Sequence, residues 1–126
     1  MIGQFAAVGV GSACGAWLRW GLSAWLNARV PKFPLGTLAS NLIGGYLVGF
    51  AVAYFLVRHD LSPEWRLFVI TGFLGGLTTF STFSAEVTEL MMHGDVLSGS
   101  GLAAAHLFGS LLLTAAGFAT VRLLVG

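Results

Sequence analysis

Gly75-Gly76-Leu77-Thr78-Thr79-Phe80-Ser81-Thr82-Phe83-Ser84 is the stretch on which the reading of this chain turns. It lies in the middle of an apolar segment, residues 65–92, long enough to cross a membrane. Two glycines loosen the backbone. Five hydroxyl residues (Thr78, Thr79, Ser81, Thr82 and Ser84) and two phenylalanines follow at once. Hydrocarbon offers nothing to an unsatisfied polar group, so such a segment is tolerated at membrane depth only where it is buried in protein or lines a wet path. It therefore reads first as a site for a small solute or an ion.

The rest of the chain agrees with a membrane setting. Of 126 residues, 56% are hydrophobic and 9% charged, against about 25% charged in an ordinary soluble domain; mean hydropathy is +0.87. A net charge of +1 provides no basic field for nucleic acid. The one cysteine, Cys14, forms no intrachain disulfide and no metal cluster alone. No Lys or Arg precedes Arg19 and no cleavage pattern follows the first apolar run, which argues against a secretory signal peptide.

Four apolar stretches have the length of a spanning helix: 3–27, 35–57, 65–92 and 97–124. Arg29, Pro31, Lys32 and Pro34 separate the first pair, Arg58, His59, Asp60 and Pro63 the second, and His93-Gly94-Asp95 the third. The expected fold is all-α, one membrane domain over 1–126 with four transmembrane helices. Small residues recur four apart at Gly11/Gly15, Gly45/Gly49, Gly72/Gly76 and Gly101/Ala105/Gly109, a spacing that lets helices approach closely in lipid; general glycine richness of membrane helices is the plainer explanation. With four spans, Arg58, Arg66 and Arg122 lie on one side and Arg29 and Lys32, with Arg19 near them, on the other. The Lys/Arg bias that normally fixes orientation is thus close to zero. A chain that inserts both ways can pair with an opposed copy about a two-fold axis in the membrane plane.

Four helices are too few to enclose a roomy pore, so oligomerisation is expected, and polar residues inside the spans are the functional candidates. Asn41 offers two amide donors, with Thr37 one turn earlier on the same face. Phe80 and Phe83, three apart, point one way on a helix; ring edges turned inward contact an anion, whereas ring faces attract a cation. Ser81 and Thr82 lie beside them, and Glu86 follows, either accepting from hydroxyls or carrying protons. His106, Ser110 and Thr114 form one polar stripe at four-residue steps, either a ladder of donors or hydroxyls bonded back to their own helix. Arg19, between Trp17 and Trp20, snorkels to the interface or lends positive potential to an anion vestibule. No catalytic constellation, metal-ligand spacing or phosphate loop is present, so no enzyme activity is expected.

The Gly75–Ser84 run, Gly36-Thr37-Leu38-Ala39-Ser40-Asn41 and Gly15-Ala16-Trp17-Leu18-Arg19-Trp20 together resemble the Fluc (CrcB) family of fluoride channels, over essentially the whole chain. The resemblance implies an antiparallel, dual-topology homodimer in the inner membrane of a microbe, with a broken third helix and two separate pores. It implies pore roles for Asn41, Phe80, Phe83, Ser110 and Thr114, with Glu86 beside them. It also implies a structural sodium ion at the dimer centre, held by the backbone carbonyls of Gly75 and Thr78. Where some members of the family carry Tyr, this chain has His106. The function implied is passive, selective fluoride efflux that protects the cell from fluoride entering as HF. A small dual-topology, proton-coupled exporter of organic cations is the alternative. That class needs a membrane carboxylate, usually in the first helix, and here the deep one is Glu86. An accessory subunit with purely structural glycines and hydroxyls is a third reading.

Overall fold

The computed structural model describes residues 1–31 and 33–126; Lys32, counted above in the loop charge, lies outside the described residues. Every regular element among them is helical. Helix α1 runs Ile2–Leu26 and α2 runs Leu35–Val57. The next segment begins with the short α3, Pro63–Arg66, widens into a π-helix over Leu67–Leu74 and closes with α4, Gly75–Leu77. Helix α5, Phe80–Met92, and α6, Val96–Val125, complete the chain.

Local chemistry sets the ends. The N-terminal N–H groups of a helix lack internal partners. Gly36 N at the start of α2 donates to Asn27 Oδ1 at 2.8 Å, so the loop after α1 caps the next helix. Pro63 occupies the first turn of α3, where its missing N–H costs nothing. Gly94, with φ of 83°, takes the left-handed turn after α5. Asp95 then caps α6 by accepting from Ser98 N at 3.2 Å.

Three helical stretches are long and apolar enough to cross a membrane: Leu35–Val57, Pro63–Met92 and Val96–Val125. Helix α1, at 25 residues, has the length. Its apolarity is diluted by Gln4, Ser12, Arg19 and Ser23, so the fourth expected span does not meet the same measure.

Two helix pairs dominate the packing: α2 against α6, and α1 against the π-helix and α4. Both contacts are made backbone to backbone. A Cβ on Gly15 would collide with the Phe73 carbonyl, and one on Gly49 with the Thr114 carbonyl. Close approach through small residues is how helices associate where apolarity gives no driving force. The expectation fails at Gly101, where a side chain would meet open space. Between the two pairs lies a small core of Ala51, Leu74 and Leu77, with Leu47, Val48 and Phe73 packed on it. Much of the apolar exterior is open: Phe80 is 78% exposed and Leu112 73%. Contiguous apolar surface of this kind belongs against lipid or another subunit.

Candidate functional site

Between α4 and α5 the chain leaves helical geometry. Thr78 (φ −92°, ψ 155°) and Thr79 (φ −153°, ψ 120°) are extended. Two extended residues inside a run of apolar helix free several backbone groups, each of which needs a partner. Those partners come from distant parts of the sequence. Asn41 on α2 clamps Thr79 from both sides: its Oδ1 accepts from Thr79 N at 2.8 Å and its Nδ2 donates to Thr79 O at 3.0 Å. Arg19 Nε on α1 donates to Gly76 O at 3.0 Å. The Leu74 carbonyl takes both the N–H and, at 2.8 Å, the hydroxyl of Thr78. Thr79 then starts α5 as its N-cap, accepting from Thr82 N at 3.1 Å. None of these bonds reaches the carbonyls of Gly75 and Thr78.

The break opens onto a cavity of about 450 Å³ bounded by α2, α5, α6 and the end of the π-helix. Six of the ion-path residues singled out from sequence line it, Asn41, Phe80, Phe83, His106, Ser110 and Thr114, together with Gly75 and Thr78 of the expected sodium site. The two phenylalanines meet edge to face, centroids 5.4 Å apart. Phe83 also lies against the His106 ring at 4.5 Å. The polar stripe of α6 does face one space, yet its hydroxyls are not bonded back to their own helix. Thr114 Oγ1 donates across to Gly45 O on α2 at 2.7 Å. Among the described residues no protein group takes the Ser110 hydroxyl, which is left to donate into the cavity.

The remaining ion-path candidates are placed elsewhere. Arg19 does not line the cavity; its Nε holds the Gly76 carbonyl. Thr37 is 2% exposed and donates to Glu86 Oε2 at 2.7 Å. Glu86 lines a different recess, with Asn27, Phe33, Pro34 and Glu89. Ser81 lies with Phe80, Ser84 and Thr88 on the outer face of α5. Thr82 contributes its N–H to the Thr79 cap. Gly75 and Thr78 border the cavity. Sequence reasoning passed over Gly44, which admits the Thr78 methyl, and singled out Gly45 only for its spacing from Gly49, whereas it admits the Ser110 backbone; the glycine pair beside Asn41 was the available signal.

Three buried side-chain atoms among the described residues have no partner: Ser40 Oγ, Glu86 Oε1 and His106 Nε2. Residues 37, 40 and 41 share one face of α2, so this polarity gathers where α2, α5 and α6 meet. The free Ser110 hydroxyl and the aromatic edges around one small space suit an anion better than an organic cation, since no carboxylate among the described residues lines it.

Comparison with known proteins agrees. Residues 6–118 match the family model described as "CrcB-like protein, Camphor Resistance (CrcB)". A protein of Pseudomonas putida named fluoride-specific ion channel FluC is 56% identical over 126 residues, covering 100% of this chain and 99% of its own. A protein of the same name from Ralstonia pickettii is 62% identical over 118 residues, 94% of each chain. Another, from Thiobacillus denitrificans, is 58% identical over 120 residues, 95% of this chain and 97% of its own. With its apolar helices this is a multi-pass membrane protein, and it belongs to the CrcB-like family.

Proposed function

We propose that this chain is a passive, selective fluoride channel, and that the cavity at the break is its ion path. The observation that carries the proposal is the convergence of Asn41, Phe80, Phe83, His106, Ser110 and Thr114 on one space, in a chain whose full-length relatives are named fluoride-specific channels. The protein is a channel and not an enzyme. Fluoride is small and strongly hydrated, so it sheds water only where close donors replace it. Ser110 Oγ–H is such a donor. The Phe80 and Phe83 rings offer positive edges. Both amide hydrogens of Asn41 are engaged, on Thr79 O and His106 Nδ1. With both hydrogens spent, Asn41 is no free donor to the ion, and its task in this reading is to hold the break in shape.

The working unit in this reading is one membrane domain of four spans, α1 included, with the third span broken at Thr78–Thr79. Two such chains pair antiparallel in the inner membrane, giving two pores. The exposed Phe80 and the outer hydroxyls of α5 support a second subunit on that face. A sodium ion fits the same scheme. The carbonyls of Gly75 and Thr78 stand at the break without any of the bonds that occupy Leu74, Gly76 and Thr79, and Gly75 is exposed. Unwound carbonyls are a usual sodium donor set in membrane proteins. The Gly75 and Thr78 carbonyls would hold such an ion, which would supply positive charge at the break.

The test is release of fluoride from liposomes carrying the purified protein, followed with a fluoride electrode, with chloride release as control. Fast fluoride release without chloride supports the channel. Release of a quaternary ammonium cation driven by a proton gradient, with no fluoride release, favours the exporter of organic cations.

A further inference from the structure

The Asn41 amide fixes the state of a neighbouring histidine. Its orientation is decided by Thr79: the Thr79 N–H requires an acceptor, which makes the atom at 2.8 Å Oδ1. The other atom is then the amide nitrogen, a donor only, and it lies 3.0 Å from His106 Nδ1. His106 Nδ1 must therefore be the acceptor, and the neutral ring carries its proton on Nε2. His106 is 4% exposed, and Nε2 has no protein partner. One chain of bonds thus runs from the extended backbone of Thr79 through Asn41 to a single tautomer of His106.

Protonating the ring removes the acceptor at Nδ1. Two N–H donors then face each other, and Asn41 must turn or withdraw, which releases Thr79. We infer that His106 is a positioning residue, held as the Nε2–H tautomer, whose neutral form keeps the Asn41–Thr79 clamp closed and the fluoride path open. The inference rests on the channel reading above and adds to it a dependence on pH.

The other ionisable groups around this ring are few. Helix α2 brings Tyr46, bonded to Thr120, and Tyr54, near Arg58. The π-helix brings none. Helix α5 brings Glu86, held by Thr37, then Glu89 and His93 near its end. On α6 itself Arg122 lies in the last turn. Glu86 is thus the one competitor close by, one turn beyond the Phe83 that packs on His106.

Fluoride release is compared in wild type, His106→Tyr and Glu86→Gln, each as the ratio of its own rates at about pH 8 and about pH 5, the range that brackets imidazole titration. The leak of protein-free vesicles is subtracted. A Tyr hydroxyl can accept from Asn41 and stays neutral throughout that range. Wild type is expected to slow by at least about fivefold on acidification, His106→Tyr to change by less than about twofold, and Glu86→Gln to slow as wild type does. Slowing in His106→Tyr equal to wild type, or loss of the dependence in Glu86→Gln, overturns the inference. Histidine-nitrogen NMR of the labelled protein in micelles at about pH 8 gives a readout independent of transport, the His106 signal being identified by its loss in His106→Tyr. A protonated Nε2 with a bare, hydrogen-bonded Nδ1 is expected; the opposite tautomer overturns the inference. Absence of fluoride release at every pH contradicts the channel reading itself, while the spectrum still decides the tautomer.

Discussion

The two halves of the segment from Pro63 to Met92 are built on opposite principles. Before the break, the π-helix and α4 are apolar and pressed on α1 through Gly72 and Gly76, with Leu74 and Leu77 buried. After it, α5 carries Ser81, Thr82, Ser84, Glu86 and Thr88, and none of its residues is fully buried. The first half is anchored by shape and the second by polar bonds to α2 and to its own cap. In the proposed channel the apolar half fixes where the break falls, and the open half presents the polar groups.

The widest separation between the halves is expected from Asn41→Leu. It strips partners from both Thr79 N and Thr79 O, each worth about 1–3 kcal/mol when buried and unpaired. Folded protein in detergent should melt markedly lower, and any surviving protein should lose fluoride release. Retention of both would show that the break does not depend on its clamp. Gly15→Val comes next, with about 1–3 kcal/mol or more of overpacking against the Phe73 carbonyl. It should lower yield and melting temperature, while Gly101→Ala, in open space, should lower neither. Equal effects would remove the distinction between anchored and unanchored glycines. Phe80→Ile should behave in the reverse way. Phe80 is 78% exposed, so the melting temperature of the single chain should shift little, within about 0.5 kcal/mol, whereas fluoride release should fall by at least about tenfold, roughly 1.4 kcal/mol.

The smallest effect lies outside both halves, in the loop after α2. Arg58 donates to both Asp60 oxygens, at 2.7 and 2.8 Å. The hydrogen bond from Arg58 lowers the Asp60 pKa to about 2, from an ordinary 3.8. A depressed folded-state pKa stabilises above the ordinary value and loses that stabilisation as pH falls through the folded one. Asp60→Asn should therefore melt slightly below wild type at neutral pH and converge with it as pH falls through about 2; the pair is exposed, and exposed pairs count for little. A large gap between the two proteins would mean that this loop matters to the helices it joins.

Much of this was legible in the sequence, for reasons that can be named. The Gly75–Ser84 stretch could be singled out because Gly75, Gly76 and five hydroxyls crowd a membrane-length apolar run, whereas a broken helix there follows only from the family resemblance. Phe80 with Phe83, and His106 with Ser110 and Thr114, could be read because helical spacing alone puts each set on one face. The partners of the break could not. Arg19 meets Gly76 across 57 positions, Asn41 meets Thr79 across 38, and His106 meets Asn41 across 65. No local pattern encodes such pairings, so Arg19 between its tryptophans reads equally as an interfacial residue or as positive potential for an anion vestibule. The π-helical winding of Leu67–Leu74 was equally hidden, since its residues are ordinary apolar ones and carry no local mark of an i to i+5 pattern.

The most direct test of the central claim is the reversal potential of the protein in a planar bilayer under opposed fluoride and chloride gradients, recorded for wild type and Phe80→Ile. A current that reverses at the fluoride equilibrium potential and is lost in Phe80→Ile is the predicted result. Reversal at the chloride or proton potential, or a fluoride current untouched by Phe80→Ile, would contradict it.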